Sequence, residues 1–176
     1  MNRSALFATA FGLLALPAAA CAASPTLGTY VGGGLAIQDV DGFDDGTAVN
    51  LRGAAALPGV LADGVPGALS VEGELTRTLT SPERDLPSGR TVDLDITTLG
   101  GYGVYTFPVQ RLMLRGRLGL LYEHISANGG DDDNNLELSL GFGAGVMVTQ
   151  RLEVAASYTY IENDVDHLGA NVLYHF

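Results

Sequence analysis

The stretch that decides the fold is "RLMLRGRLGLLYEH", residues 111–124. Leu112, Leu114, Gly116, Leu118, Leu120 and Tyr122 alternate with Arg111, Met113, Arg115, Arg117, Gly119, Leu121 and Glu123. A period of two places the first set on one face of a β-strand and the second set on the other. A helix would need apolar residues every three or four positions. The same period returns in "NLELSLGFGAGVMV", residues 135–148, where Leu136, Leu138, Leu140, Phe142, Ala144, Val146 and Val148 share a face. It returns again in "RLEVAASYTY", residues 151–160, with Leu152, Val154, Ala156, Tyr158 and Tyr160 together.

Extended along the chain, this pattern gives eight segments: about 29–38, 47–57, 67–80, 90–107, 111–124, 135–148, 151–161 and 165–176. The connections alternate in character. Those near Pro108–Gln110 and Thr149–Gln150 are hairpin-tight, with a third near Pro58–Pro66. The others are polar and mostly longer: "DVDGFDDG", "SPERDLPSG", "SANGGDDDN" and "ENDVD". No helical period interrupts the series, so the order reads as an all-β, up-and-down antiparallel meander of eight strands in one domain.

The choice of inner face decides between a soluble barrel of lipocalin type and a membrane barrel. A face meeting water would carry many long charged side chains. The non-apolar face is instead largely small: Ser139, Gly141, Gly143, Gly145, Ala155, Ser157, Gly169, Gly101, Gly103, Ala54 and Ala56. Small residues suit a narrow lumen. The larger polar residues assigned to that face form an expected charge network: Arg52, Arg115 and Arg117 with Glu72, Glu74, Asp93, Asp95, Glu137 and Glu153. Charge inside and Leu or Val outside is the arrangement of a transmembrane β-barrel. Ten residues at about 3.3 Å, tilted by about 45°, span roughly 23 Å, close to the apolar band of an outer membrane. Tyr30, Tyr105 and Phe107 at one rim, and Tyr122, Tyr158 and Tyr160 at the other, are read as interfacial aromatic girdles.

Residues 1–22 read as a cleaved signal peptide: Arg3, an apolar run from Ala5 to Leu16, Pro17, and then small residues with Ala20 and Ala22 before the cut. The barrel domain then covers 23–176. Cys21 is the single cysteine. One reading is a lipoprotein attachment site, against which stands Ala18 three residues before it, where a bulky aliphatic is usual. The plainer reading is that Cys21 leaves with the signal, so that neither a disulfide nor thiol chemistry is expected. Without Arg3, eight basic residues, all arginine, face 20 acidic ones, a balance of −12. Such a chain does not bind nucleic acid by neutralising phosphates.

The last residues, "GANVLYHF", carry the most specific signal. Leu168, Ala170, Val172, Tyr174 and Phe176 alternate up to an aromatic end, while His167, Gly169, Asn171, Leu173 and His175 take the other face. Signal peptide, eight alternating strands and this ending resemble the small outer-membrane β-barrel family of Gram-negative bacteria, the OmpA transmembrane-domain and OmpX/Ail type. The resemblance implies residence in the cell outer membrane, termini toward the periplasm, contact with membrane lipid and lipopolysaccharide, a monomer, and no cofactor. It implies that Leu168, Ala170, Val172, Tyr174 and Phe176 are read by the barrel-assembly machinery.

Function is less legible. The expected reading is a non-enzymatic protein of envelope structure or surface interaction, meeting any extracellular partner through its acidic loops. Asp39, Asp41, Asp44, Asp45 and Asp131, Asp132, Asp133 could offer oxygens to Ca²⁺, but neither stretch has EF-hand spacing, and solvated, mutually repulsive loops are the plainer reading. A small channel is an alternative, against which stands the narrow lumen of eight strands. A second alternative is a lipid A deacylase, because "EHIS" resembles that family's His-x-Ser pair with Glu137 downstream. Parity opposes it, since His124 and Ser126 fall on the lipid side and Glu137 on the lumen side. Ala127 also stands where that family has Asn. Deleting Phe176 is expected to impair assembly in cells more than refolding of the purified chain into vesicles; heat-modifiable gel mobility of both samples checks this.

Overall fold

A computed structural model describes residues 27–40, 44–85, 91–127, 133–161 and 165–176, without the strand side chains of 40, 83–85, 91–94, 126, 127, 133 and 165. The expected signal segment, Cys21, Asp41, Asp131 and Asp132 lie outside the described residues, as do the side chains of Asp93, Ser126, Ala127 and Asp133.

The strands are β1 (Tyr30–Val40), β2 (Gly46–Ala56), β3 (Ala68–Thr80), β4 (Glu83–Asp85), β5 (Thr91–Val109), β6 (Leu112–Ala127), β7 (Asp133–Met147), β8 (Leu152–Ile161) and β9 (Val165–His175). Eight of them close a barrel in the order β1–β2–β3–β5–β6–β7–β8–β9, every pair antiparallel. The seam joins β9 to β1, from Tyr30↔His175 to Val40↔Val165. Closure pairs the outer strands with each other, which removes the edges that hydrocarbon cannot solvate. The extra strand, β4, pairs with the start of β5 and prolongs the β3–β5 hairpin beyond the barrel wall.

Local chemistry sets the turns at the rim that carries the termini. The β7–β8 turn is held by the Thr149 hydroxyl, which accepts from the amides of Arg151 at 3.2 Å and Leu152 at 3.0 Å. The β5–β6 turn is only two residues long, and Gln110 in it takes a left-handed φ of 57°.

Alternation places apolar side chains outward. Leu51 is 61 % exposed, Leu136 68 % and Phe142 57 %. This overturns the lipocalin alternative, which needs that face inside. Tyr105, Phe107, Tyr174 and Phe176 lie on the outer face near the termini, and Tyr122, Tyr158 and Tyr160 toward the opposite rim.

Two expectations are corrected. Tyr30 is not a girdle residue: it is buried in the lumen, on the same face of β1 as Ala36 and Gln38. In β5 the faces are reversed. Ile96, Thr98, Tyr102, Val104 and Thr106 point inward, whereas Asp95, Gly101 and Gly103 are exposed outside. Neighbours fix this register, because Gly101 pairs with Gly73 and Tyr102 with Glu72. The sequence of β5 misleads because its loop-side end runs past the apolar band, where Asp95 meets water on the outer face and the lipid rule no longer applies.

The left-handed region costs a non-glycine residue about 1–2 kcal/mol, partly offset by glycine's larger unfolded-state entropy. Gln110→Gly is therefore expected to raise barrel stability by about 0.5 kcal/mol, read from the urea midpoint in vesicles.

Candidate functional site

Closing eight strands leaves a lumen that side chains fill. Charges taken from water into that space must be paired. The structure builds the pairs from residues on different strands. Near the termini, Arg115 on β6 grips Glu153 on β8 with two prongs: Nη1 on Oε1, and Nη2 donating to Oε2 at 2.7 Å. The same Oε2 lies 2.8 Å from His175 Nε2 on β9. Gly145 makes room for this group, since a Cβ there would run into the Glu153 carboxylate.

The next layer centres on Arg117. Its Nη2 lies 2.8 Å from Glu72 Oε1 and 3.2 Å from Glu74 Oε2, contacts at ion-pair distance rather than aligned hydrogen bonds. Arg52 Nη2 approaches Glu74 Oε2 at 2.6 Å and Ser157 Oγ at 3.4 Å. The Tyr30 hydroxyl donates to Glu72 and joins the two layers, with the Arg115 guanidinium 5.0 Å from its ring. Arg117 stacks 4.1 Å from the Tyr102 ring, whose hydroxyl reaches Ser139 on β7 at 3.4 Å. Tyr102 lies flat because Gly100 and Gly119 leave it a notch that a Cβ would close.

Three arginines and three glutamates thus cancel in charge, with all six side chains at most 6 % exposed. Through Tyr30, Tyr102, Ser139 and His175 the network touches every strand of the barrel wall. Farther toward the loop rim, Thr78 donates to Gln38 Oε1 at 2.8 Å, and Gln38 Nε2 lies 3.3 Å from His167 Nε2.

Of the expected network, Arg52, Glu72, Glu74, Arg115, Arg117 and Glu153 come together. Glu137 is buried in the lumen on β7, paired in register with Leu121. Asp95 is outside the barrel, as described above. Tyr30, Tyr102 and His175 were missed as members. The usable signals were parity for His175 and, for Tyr102, an aromatic ring among glycines on its own and the facing strand. The deacylase-like residues do not converge. His124 Nδ1 lies 2.7 Å from Asn134 Oδ1 on the outer side, while Glu137 is on the lumen face.

A family model for the outer membrane protein beta-barrel domain matches residues 6–176. The chain belongs to that family. As an outer-membrane barrel it resembles several solved structures in fold. Ail, the attachment invasion locus protein of Yersinia pestis, is 18 % identical, with 86 % of this chain and all of Ail covered at a TM-score of 0.56. Neisserial surface protein A is 18 % identical over 84 % of this chain and 96 % of that one, with a TM-score of 0.55. The N-terminal barrel of Pseudomonas aeruginosa OprF is 15 % identical over 86 % and 100 %, with a TM-score of 0.51. No curated protein matches the chain in sequence. The family and these folds place this protein in the outer membrane.

Breaking a buried ion pair from one side leaves the other charge uncompensated and costs about 3–5 kcal/mol, whereas replacing both partners by apolar residues is often near neutral. Arg115→Met is expected to lose about that much. Arg115→Met with Glu153→Leu should recover most of it. Urea unfolding of the two variants in vesicles checks this.

Proposed function

We propose that this protein is a non-enzymatic outer-membrane barrel with a sealed lumen, whose working surface is the exterior: its membrane-facing wall and its acidic loops. One observation carries the reading. The Arg52, Arg115 and Arg117 network cross-links the wall through the middle of the barrel, where a conduit would need open water. In this reading residues 1–22 are the export signal, the rim with Tyr30 and Phe176 faces the periplasm, and β9 is the strand offered to the assembly machinery. The opposite rim then faces the outside.

That outer rim is acidic. Asp39, Asp44, Asp45 and Asp95 are exposed there. Ail has been solved with a heparin analogue, sucrose octasulfate. A polysulfated ligand of that kind meets like charge on this protein, so its surface partners are cationic or neutral. A lipid A deacylase gains no support from the separation of His124 and Glu137 onto opposite faces.

In planar bilayers the purified barrel is expected to give no discrete conductance steps, and heparin is expected not to bind it at physiological salt. Reproducible steps that change with Arg117→Met would overturn the sealed-barrel reading.

A further inference from the structure

Three connections close the rim that carries the termini. Those after β5 and β7 are short and mostly polar, with Gln110, Arg111, Thr149, Gln150 and Arg151 in them. The third, "LPGVLADGVPG" at 57–67 between β2 and β3, is longer and largely apolar, and Asp63 is its one charge. Leu57 is 41 % exposed, Val60 59 % and Val65 45 %. The lipid-facing wall holds residues of the same exposure, Val49 at 38 % and Leu51 at 61 %. Apolar side chains displayed together on a connection mark a contact surface.

The segment's own chemistry fixes its shape. Pro58 followed by Gly59, at a φ of 75°, has the residue order and backbone sign of a type II turn. A second such turn runs from Ala62 to Val65. There the Val65 amide donates to the Ala62 carbonyl at 3.1 Å, and Gly64 takes a φ of 87°. The Leu57 amide donates to the Leu69 carbonyl at 2.8 Å, which carries the β2–β3 pairing one residue into the segment. Two defined turns therefore present Val60 and Val65.

One contact decides on which side of the wall the segment lies. The Tyr105 hydroxyl donates to the Pro66 carbonyl at 2.6 Å. A Cβ on Gly67 would stand 3.2 Å from two carbons of the same ring. Tyr105 is an outward residue of β5, in register with Leu69 on β3. Pro66 and Gly67 thus join β3 along the membrane side of the wall rather than across the mouth of the lumen. Phe107 and Val109 follow Tyr105 on that outward face, so the apolar surface of the segment continues the lipid-facing one. Tyrosine at such a girdle sits at headgroup level. A soluble protein partner would need the patch turned to water, whereas its outer limb is bonded to a lipid-side ring.

We propose that residues 57–67 form a foot that rests in the phospholipid leaflet on the side of the termini, with Val60 and Val65 at the boundary between headgroups and acyl chains. Burying exposed apolar surface there is favourable in proportion to its area, as it is for a helix lying in the interface. The foot stands beneath β3 and β5, whose far ends continue into the β4 extension at the opposite rim. It holds the barrel's tallest sector at a set height in the bilayer. The state of the lumen does not enter this inference, so conductance in planar bilayers would overturn the sealed barrel and leave the foot intact.

The test uses the full barrel, one per phosphatidylcholine nanodisc, with isotope-labelled methyl groups on valine, leucine and threonine. Two paramagnetic probes are compared by methyl line broadening: a phospholipid with a nitroxide on its acyl chain near the glycerol, and a water-soluble gadolinium chelate. Leu114, on the outward wall near this rim, and Thr149, on the exposed β7–β8 turn, are the internal references. The ratio of lipid to chelate broadening at Val60 and Val65 is expected to match that of Leu114. A ratio nearer that of Thr149 would overturn the proposal, because the valines would then stand in water. Protection from both probes would overturn it as well, since the protein itself would be covering them. Protection that arises only with two barrels per disc would assign the surface to a second copy of the chain instead.

Discussion

A peptide group in hydrocarbon has no water to bond to, and leaving it unpaired costs several kcal/mol. Everything else in this barrel follows from that constraint. It requires β9 to return to β1, which they do in register along the whole of β1. Closure at eight strands fixes a narrow lumen, and the lumen in turn fixes what the inward residues can be. Long charged side chains fit only if glycine or a small residue stands opposite, and they survive burial only if paired. The Glu153 carboxylate lying over Gly145, and Arg117 beside Gly141 with its ring partner Tyr102 notched into Gly100 and Gly119, are local solutions to that one problem.

The period of two, the strand count and the outward Leu face were legible because each is a property of consecutive residues. The strand limits read from pattern fall within three residues of those observed. Which carboxylate meets which arginine was not legible, because those contacts join residues 22 to 45 positions apart, from Arg52 with Glu74 to Arg117 with Glu72. Parity on β5 failed for a different reason. Its 19 residues outrun the membrane, so the polar end and the lipid-facing end obey different rules within one strand. Tyr30 failed because position near a rim suggested a girdle, while its phase with Ala36 and Gln38 already pointed inward. Phase along the strand is the stronger evidence, since a one-residue slip moves a whole strand face.

Charge in this protein is sorted into zones with separate physics. Inside, Arg52, Arg115 and Arg117 are balanced one for one by Glu72, Glu74 and Glu153, in a space where an unpaired ion is costly. At the rim of the termini, Arg151 donates to the Tyr174 hydroxyl at 3.2 Å, an exposed contact of small energetic weight. At the opposite rim, among the described residues, Asp39, Asp44, Asp45 and Asp95 are exposed, with Arg77 on the outward face of β3. A net charge of −11 would describe none of this. The sum is dominated by loops, whereas the stability of the barrel depends on a lumen whose core network carries almost no net charge.

Glycine plays opposite parts on the inner and outer faces of the wall. Inside, Gly145, Gly100 and Gly119 surrender volume to neighbouring side chains, so replacing any of them displaces a carboxylate or a ring. Outside, Gly73 and Gly101 surrender volume to whatever lies beyond the wall, and replacing them displaces nothing of the protein. Glycine weakens a strand in either place, through lost side-chain packing and backbone entropy. The inner residues regain that loss through the ion pairs they make room for. The outer pair makes room for no side chain of the protein, so the loss there is not offset within the chain.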